Sequence, residues 1–264
     1  MSNLKIAVIV ADSDEYVPFA KAVEKSEFEE YSFLGRKGHK FSVKTEKGSA
    51  TVYSLLCGIG MVNAAAAAAH FATIGCDIIL NYGLSGGISG ISKGEFTLGT
   101  TFFEHDFDLT VIGYKPYEKP NQQYIYKADE HLNCLMKELY PYVKMGTAVS
   151  GDRFICDDTV RNTLKNDFGA MSCDMETGAI AYVCNFGNIP FLSLRRISDD
   201  AGNDAGDSYK SMVSHSEMEL SDMILSLIPR IIDENYEKLR TKLNSGRNDF
   251  TSFLDYSKIN WCAF

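Results

Sequence analysis

Residues 190–199, Pro-Phe-Leu-Ser-Leu-Arg-Arg-Ile-Ser-Asp, read as an apolar strand that ends in ionisable groups. Side chains alternate across a strand, so Arg195, Ile197 and Asp199 are expected on one face, with a guanidinium and a carboxyl together near the carboxyl end. In open α/β sheets that end is where ligands bind. A carboxyl placed there can hold and protonate a small polar molecule. An Arg–Asp pair that merely closes the strand edge accounts for the same residues, so other segments have to decide between the two.

Four other segments have the composition of a site. Ala11-Asp12-Ser13-Asp14-Glu15 follows the opening strand and leads into a helix, where acidic groups either cap the helix or face a ligand. Asn81-Tyr82-Gly83-Leu84-Ser85-Gly86-Gly87 is expected as a loop after an apolar strand, its glycines allowing backbone amides close to a ligand or simply a tight turn. Ser150-Gly151-Asp152-Arg153-Phe154-Ile155 offers an aromatic ring and open backbone groups suited to a flat heterocycle. Cys173-Asp174-Met175-Glu176-Thr177-Gly178-Ala179-Ile180-Ala181 is expected to put Glu176 in the first turn of an otherwise apolar helix, as a cap or a site residue.

The elements that position these groups follow from periodicity. Apolar, β-branched runs at 4–10, 51–57, 77–82, 145–150 and 190–198 alternate with helical patterns, which predicts an α/β fold with a largely parallel or mixed sheet flanked by helices. Helices are predicted over Glu15–Lys25, Met61–Ile74, Asp129–Tyr140, Asp158–Asn166, Met175–Phe186 and about Ser211–Leu239. The alanine run Ala64–Ala69 favours helix and close packing on the sheet. One domain is expected over residues 1–240. The tail, 241–264, carries Phe250, Phe253, Leu254, Tyr256, Ile259, Trp261 and Phe264 and is expected to dock on its own domain or a partner.

Composition narrows the function. The chain has 264 residues, 45% of them hydrophobic, enough for a substantial core. With 26 Lys and Arg against 35 Asp and Glu it carries a formal charge of −9 and no basic stripe, so nucleic acid is not an expected partner. The cysteines show no Cys-x-x-Cys spacing and are expected to be reduced thiols. No signal segment or membrane span is read from the sequence, which points to the cytoplasm. The histidines, at 39, 70, 105, 131 and 215, lack ligand spacing, so no metal is expected, and His105 reads as structural.

Seven segments in order give the chain a resemblance that covers about residues 4–232. They are Lys-Ile-Ala-Val-Ile from Lys5, Gly-Ile-Gly-Met-Val from Gly58, Ser-Gly-Gly from Ser85, His105-Asp106-Phe107-Asp108, Ser-Gly-Asp-Arg-Phe-Ile from Ser150, Asp-Met-Glu from Asp174 and Arg-Ile-Ser-Asp from Arg196. Together they resemble the 5′-methylthioadenosine/S-adenosylhomocysteine nucleosidases of the nucleoside phosphorylase superfamily. The resemblance implies a three-layer phosphorylase/hydrolase-like sandwich with a central mixed sheet. It also implies cleavage by water of the N-glycosidic bond of a 5′-thio-substituted adenosine, with no cofactor.

By the same resemblance Asp199 is the general acid that protonates N7 of the purine, Glu176 holds the 2′- and 3′-hydroxyls, and Glu15 is the base for the attacking water. Arg195 orients Glu176, the backbone of Phe154 and Ile155 holds the adenine edge, and Tyr209 lies over the sugar. Ser85, Gly86, Asp174, Met175 and Ser198 join the substrate-binding set, while Ile112 and Tyr114 reach the neighbouring subunit's pocket, implying a homodimer. Leu84 and Asp200 depart from the family pattern, where a small hydroxyl residue and an apolar residue are usual. A phosphate-dependent phosphorylase and a non-catalytic nucleoside-binding protein are the alternatives. The acidic loop 10–15 disfavours the first, since carboxylates repel phosphate, and retention of Glu15, Glu176 and Asp199 disfavours the second.

Overall fold

The computed structural model describes residues 3–212 and 217–234. β1 (Asn3–Val10) sets the architecture, because its apolar residues are buried on both faces. Ile6, Val8 and Val10 pack towards Tyr16 and Phe19 of α1 (Ser13–Val23), Leu132 of α3 (Glu130–Leu139) and Ile224 and Leu227 of α7 (Glu217–Asp233). Ala7 and Ile9 pack towards the opposite layer, α2 (Met61–Thr73) and α5 (Thr177–Gly187). A strand covered on both faces reads as a continuous apolar run, which is why this one is visible in the sequence. Ala64, Ala67 and Ala68 of α2 are buried with Phe71, and their small side chains bring the helix close to the sheet.

β1 pairs in parallel with β4 (Ser49–Leu56) on one side and β5 (Ile78–Gly87) on the other. Beyond β4 the sheet continues antiparallel through β3 (Arg36–Lys44) to β2 (Phe28–Phe33). On the other side β5 takes part in a closed ring. It pairs with β10 (Phe191–Asp199), β10 with β6 (Phe96–Glu104), β6 with β8 (Lys144–Ser150), β8 with β9 (Ala170–Asp174), and β9 returns to β5 at Gly86 and Gly87. The short β7 (Tyr126–Lys127) lies against β6. The remaining helices are α4 (Asp158–Phe168) and α6 (Ala205–Met212).

Several expectations need correction. The segment 81–87 is not a loop but the second half of β5, and its Gly83 and Gly86 serve close packing rather than a turn. The predicted strands omitted the β2–β3 hairpin, whose polar alternation is joined by Leu34 and Gly35 at φ 47° and 74°. They also omitted β6 and β9. Glu176 occupies the N-cap position of α5 rather than its first turn. The single helix expected over 211–239 is represented by the end of α6 and by α7, while 213–216 and 235–239, His215, Cys262 and the tail 241–264 lie outside the described residues. Cys57, Cys76, Cys134, Cys156, Cys173 and Cys184 are free thiols.

Phe71 reports on the α2 layer because it is fully buried between Tyr31, Tyr53 and the alanine face. Phe71→Ala is expected to lower the unfolding free energy by about 3–5 kcal/mol. Denaturant titration checks this, and a loss under 1 kcal/mol, as at an ordinary surface site, would show that α2 does not depend on that packing.

Candidate active site

A cleft of about 200 Å³ opens at the carboxyl ends of β1, β8, β9 and β10 and beside the upper half of β5. It brings together Glu15, Glu176 and Asp199, which are far apart in sequence. Ser85, Gly86, Phe154, Ile155, Asp174, Met175, Ser198 and Tyr209 line it as well. Arg195 lies beneath the floor, 2% exposed, and does not line it. Ile112 and Tyr114 are also outside the lining, exposed on and just after the short 3-10 turn Thr110–Ile112.

Arg195 organises the floor. Its Nε lies 3.2 Å from Asp174 Oδ2 and its Nη2 3.8 Å from Glu176 Oε2. Nη2 donates to Asn81 Oδ1 at 2.7 Å and to Thr177 Oγ1 at 2.6 Å, while Nη1 donates to the Leu84 carbonyl at 3.3 Å. Gly83 is required beside it, because a Cβ there would stand 2.6 Å from Arg195 Nη1 and 2.8 Å from Glu15 Oε2. The Asp174 carboxylate is occupied by the protein, accepting from Ser150 Oγ at 2.6 Å and from the N–H groups of Glu176 and Thr177 at 3.0 and 2.9 Å. It therefore caps α5 and holds Arg195, leaving no free oxygen evident for a ligand.

Asp199 is not the partner of Arg195 that strand alternation suggested. The register against β5 shifts between Ile197 and Asp199, so a bulge breaks the alternation and re-aims the carboxyl. Ser198 Oγ donates to Asp199 Oδ2 at 2.6 Å and Ala201 N to Oδ1 at 2.8 Å. Arg196 takes the other face, its guanidinium 5.1 Å from the Phe96 ring centre and 3.2 Å from Glu219. Phe154 and Tyr209 meet edge to face at 5.7 Å, forming an aromatic corner of the cleft.

The three carboxyls differ in environment. Burial raises Asp199 above the usual carboxylate range; hydrogen bonds from Ser198 and Ala201 oppose this, and the neighbouring Asp200 adds to it. Burial lifts Glu15 to about 8, against the pull of Arg195 and the Leu84 N–H, which donates to Oε1 at 2.7 Å. Glu176 is also raised by burial, with Arg195 and the Gly60 N–H pulling it down. In Asp174 burial is outweighed by Arg195, Ser150 and Thr177, which hold it below its ordinary value. Leu84 thus supplies a backbone donor to the site even though its side chain is apolar. His105 is buried outside the lining, and burial lowers its pKa.

Sequence reading missed Ile59 in the lining and Ser193 beneath it, and gave no individual role to Cys173, which lines the cleft, or to Asn81 and Thr177, which lie beneath it, although all three fall within or beside the segments singled out. A polar residue inside an apolar strand, as at Asn81 and Ser193, was the available signal. Because the folded state holds the Glu15 proton more tightly than the unfolded chain, stability is full below about 4.5 and is lost as pH rises to about 8. Glu15→Gln removes that loss, so melting curves of the two proteins should diverge between about pH 5 and pH 9 with the variant higher at the alkaline end. A constant difference across that range would show that Glu15 does not titrate in the fold.

The profile of the phosphorylase superfamily matches residues 5–229. A 5′-methylthioadenosine/S-adenosylhomocysteine nucleosidase of Staphylococcus carnosus is 30% identical over 230 residues, covering 84% of this chain and 98% of the relative. An aminodeoxyfutalosine nucleosidase of Campylobacter jejuni is 27% identical over 239 residues, covering 86% of this chain and 100% of the relative. Among solved structures, a Helicobacter pylori 5′-methylthioadenosine/S-adenosylhomocysteine nucleosidase shares the fold with a TM-score of 0.81 at 23% identity, covering 87% of this chain and 100% of that one. With a match that spans nearly the whole of the relatives and 84% of this chain, around a cleft of three converging carboxyls, the chain belongs to the phosphorylase superfamily and, within it, to the 5′-methylthioadenosine/S-adenosylhomocysteine nucleosidases.

Proposed function

We propose that this protein hydrolyses the N-glycosidic bond of 5′-methylthioadenosine, S-adenosylhomocysteine and related adenine nucleosides, releasing adenine and a thioribose. The observation that carries the reading is the convergence of Asp199, Glu15 and Glu176 on one cleft in distinct electrostatic settings. As the C1′–N9 bond breaks, its electron pair moves into the purine and Asp199 gives its proton to N7. Adenine then leaves neutral, a general-acid effect worth roughly 10²–10⁴ in rate. Water attacks C1′ and passes its proton to the ionised form of Glu15, and because burial lifts this carboxyl to about 8, the step is expected to quicken towards alkaline pH. Arg195 and the Gly60 N–H oppose the burial that raises Glu176, and in its anionic form Glu176 holds the ribose hydroxyls and stabilises the oxocarbenium-like sugar.

Phe154 and Tyr209 fit the roles of base and sugar walls, and the backbone of Phe154 and Ile155 is open to the adenine edge. Water is favoured over phosphate because Asp12, Glu15 and Glu176 line the same cleft and Arg153 is the sole cation among the described lining residues. Val111 and Ile112, 92% and 66% exposed, support a homodimer in which this turn and Tyr114 approach the partner's cleft. The proposed location is the cytoplasm, the proposed role methionine salvage, and the catalytic unit residues 1–240.

Base release from methylthioadenosine, S-adenosylhomocysteine, adenosine, inosine and aminofutalosine, with and without phosphate, tests the reading. Phosphate-independent adenine release is expected; ribose 1-phosphate formed only with phosphate would establish a phosphorylase, and binding without release a storage role. Asp199→Asn is expected to lower kcat by roughly 10²–10⁴ while retaining the fold and adenine binding. Unchanged kcat would remove Asp199 from the acid role.

A further inference from the structure

Helix α2 opens on Gly60, which has no side chain with which to cap it. Its first N–H groups are satisfied from two other segments. Gly60 N donates to Glu176 Oε1 at 3.0 Å and Met61 N donates to Asp152 Oδ1 at 2.7 Å. Asp152 is anchored in turn, its own N–H donating to Asp106 Oδ2 at 2.7 Å. The junction is tight: Gly60 has φ +102°, and a Cβ there would lie 3.0 Å from Asp152 Oδ1. Asp152 immediately precedes Arg153, Phe154 and Ile155, the stretch that forms the base side of the cleft.

We propose that Asp152 is a positioning residue that caps α2 from the base-binding loop, fixes the Gly60 N–H on Glu176, and thereby couples seating of the base to the grip on the ribose hydroxyls. This rests on Glu176 being the ribose-binding carboxylate. The unpaired N–H groups and positive end of a helix N-terminus attract whichever carboxylate is nearest. With Asp152 in place, Met61 N is occupied, and of these two α2 N–H groups only that of Gly60 is left to Glu176. Without it, the freed Met61 N–H competes for Glu176 or takes water, and the residue next to Gly60 loses its anchor to the base-binding loop. Asp152 is exposed to solvent, so its contribution lies in the hydrogen bond rather than in a buried charge, and an amide oxygen can replace it.

The test compares kcat/KM on 5′-methylthioadenosine and its 2′-deoxy counterpart for wild type, Asp152→Asn, Asp152→Ala and Asp152→Glu, with adenine binding measured alongside. Wild type is expected to prefer the riboside. Asp152→Ala should shrink that preference about tenfold, the scale of one helix cap, with the loss falling on the riboside. Asp152→Asn should keep the preference within about threefold, since the acceptor remains. Asp152→Glu, whose extra methylene carries the carboxylate past Met61 N, should behave like the alanine variant and replaces it if that variant does not fold. Equal losses on both sugars, or an asparagine variant as impaired as the others, would overturn the coupling. A wild type with no preference for the riboside would overturn the Glu176 assignment and the coupling with it, whereas a wild type that cleaves neither nucleoside would instead sink the proposed function.

Discussion

A guanidinium sealed beneath the cleft is the constraint around which the site is built. Removing a charge from water is expensive, and Arg195 is tenable only because the surrounding elements supply two carboxylates, an amide oxygen, a hydroxyl and a carbonyl. Each supplier is thereby fixed in place: Asn81 in β5, Asp174 at the end of β9, Thr177 at the start of α5. Glu15 also feels this charge, but less than it feels burial. One cation so divides the acids, holding Asp174 ionised and restraining Glu176, while Asp199 stands on the bulge of β10 and is governed by burial.

Glycosidic cleavage needs a proton for the leaving base and negative charge near the sugar, a separation that the proposed roles assign to Asp199 and to Glu176, the latter beside Arg195. The carboxyls of the cleft come from different parts of the sheet. Glu15 follows β1, in the open portion, whereas Asp199 belongs to the ring, and β5 pairs with both strands. The cleft lies where the two portions part, which is where ligand sites in α/β sheets tend to form.

Much of this was legible in the chain. Strands buried on both faces, β1 and β10 above all, announce themselves as apolar runs, and the acidic groups after β1, after β9 and at the end of β10 stood out because charge rarely interrupts such runs. What escaped was tertiary in origin. The β2–β3 hairpin turns on Leu34, a residue that seldom adopts positive φ, so the usual Asn-Gly signal was missing. Alternation placed Asp199 beside Arg195, and a bulge visible only in the pairing register undid it. Asn81 opened a segment read as a ligand loop, whereas the fold uses its amide oxygen to hold the buried guanidinium, with Ser193 donating to that same oxygen.

Ring closure also affects how this molecule behaves among copies of itself. Among the described strands of more than two residues, β2 alone has a single neighbour, because β10, β6, β8, β9 and β5 close on one another. Its sequence, Phe-Glu-Glu-Tyr-Ser-Phe, sets adjacent glutamates along that margin. Two such margins laid side by side would bring like charges into register, so runaway stacking of sheets into filaments is opposed along this open edge.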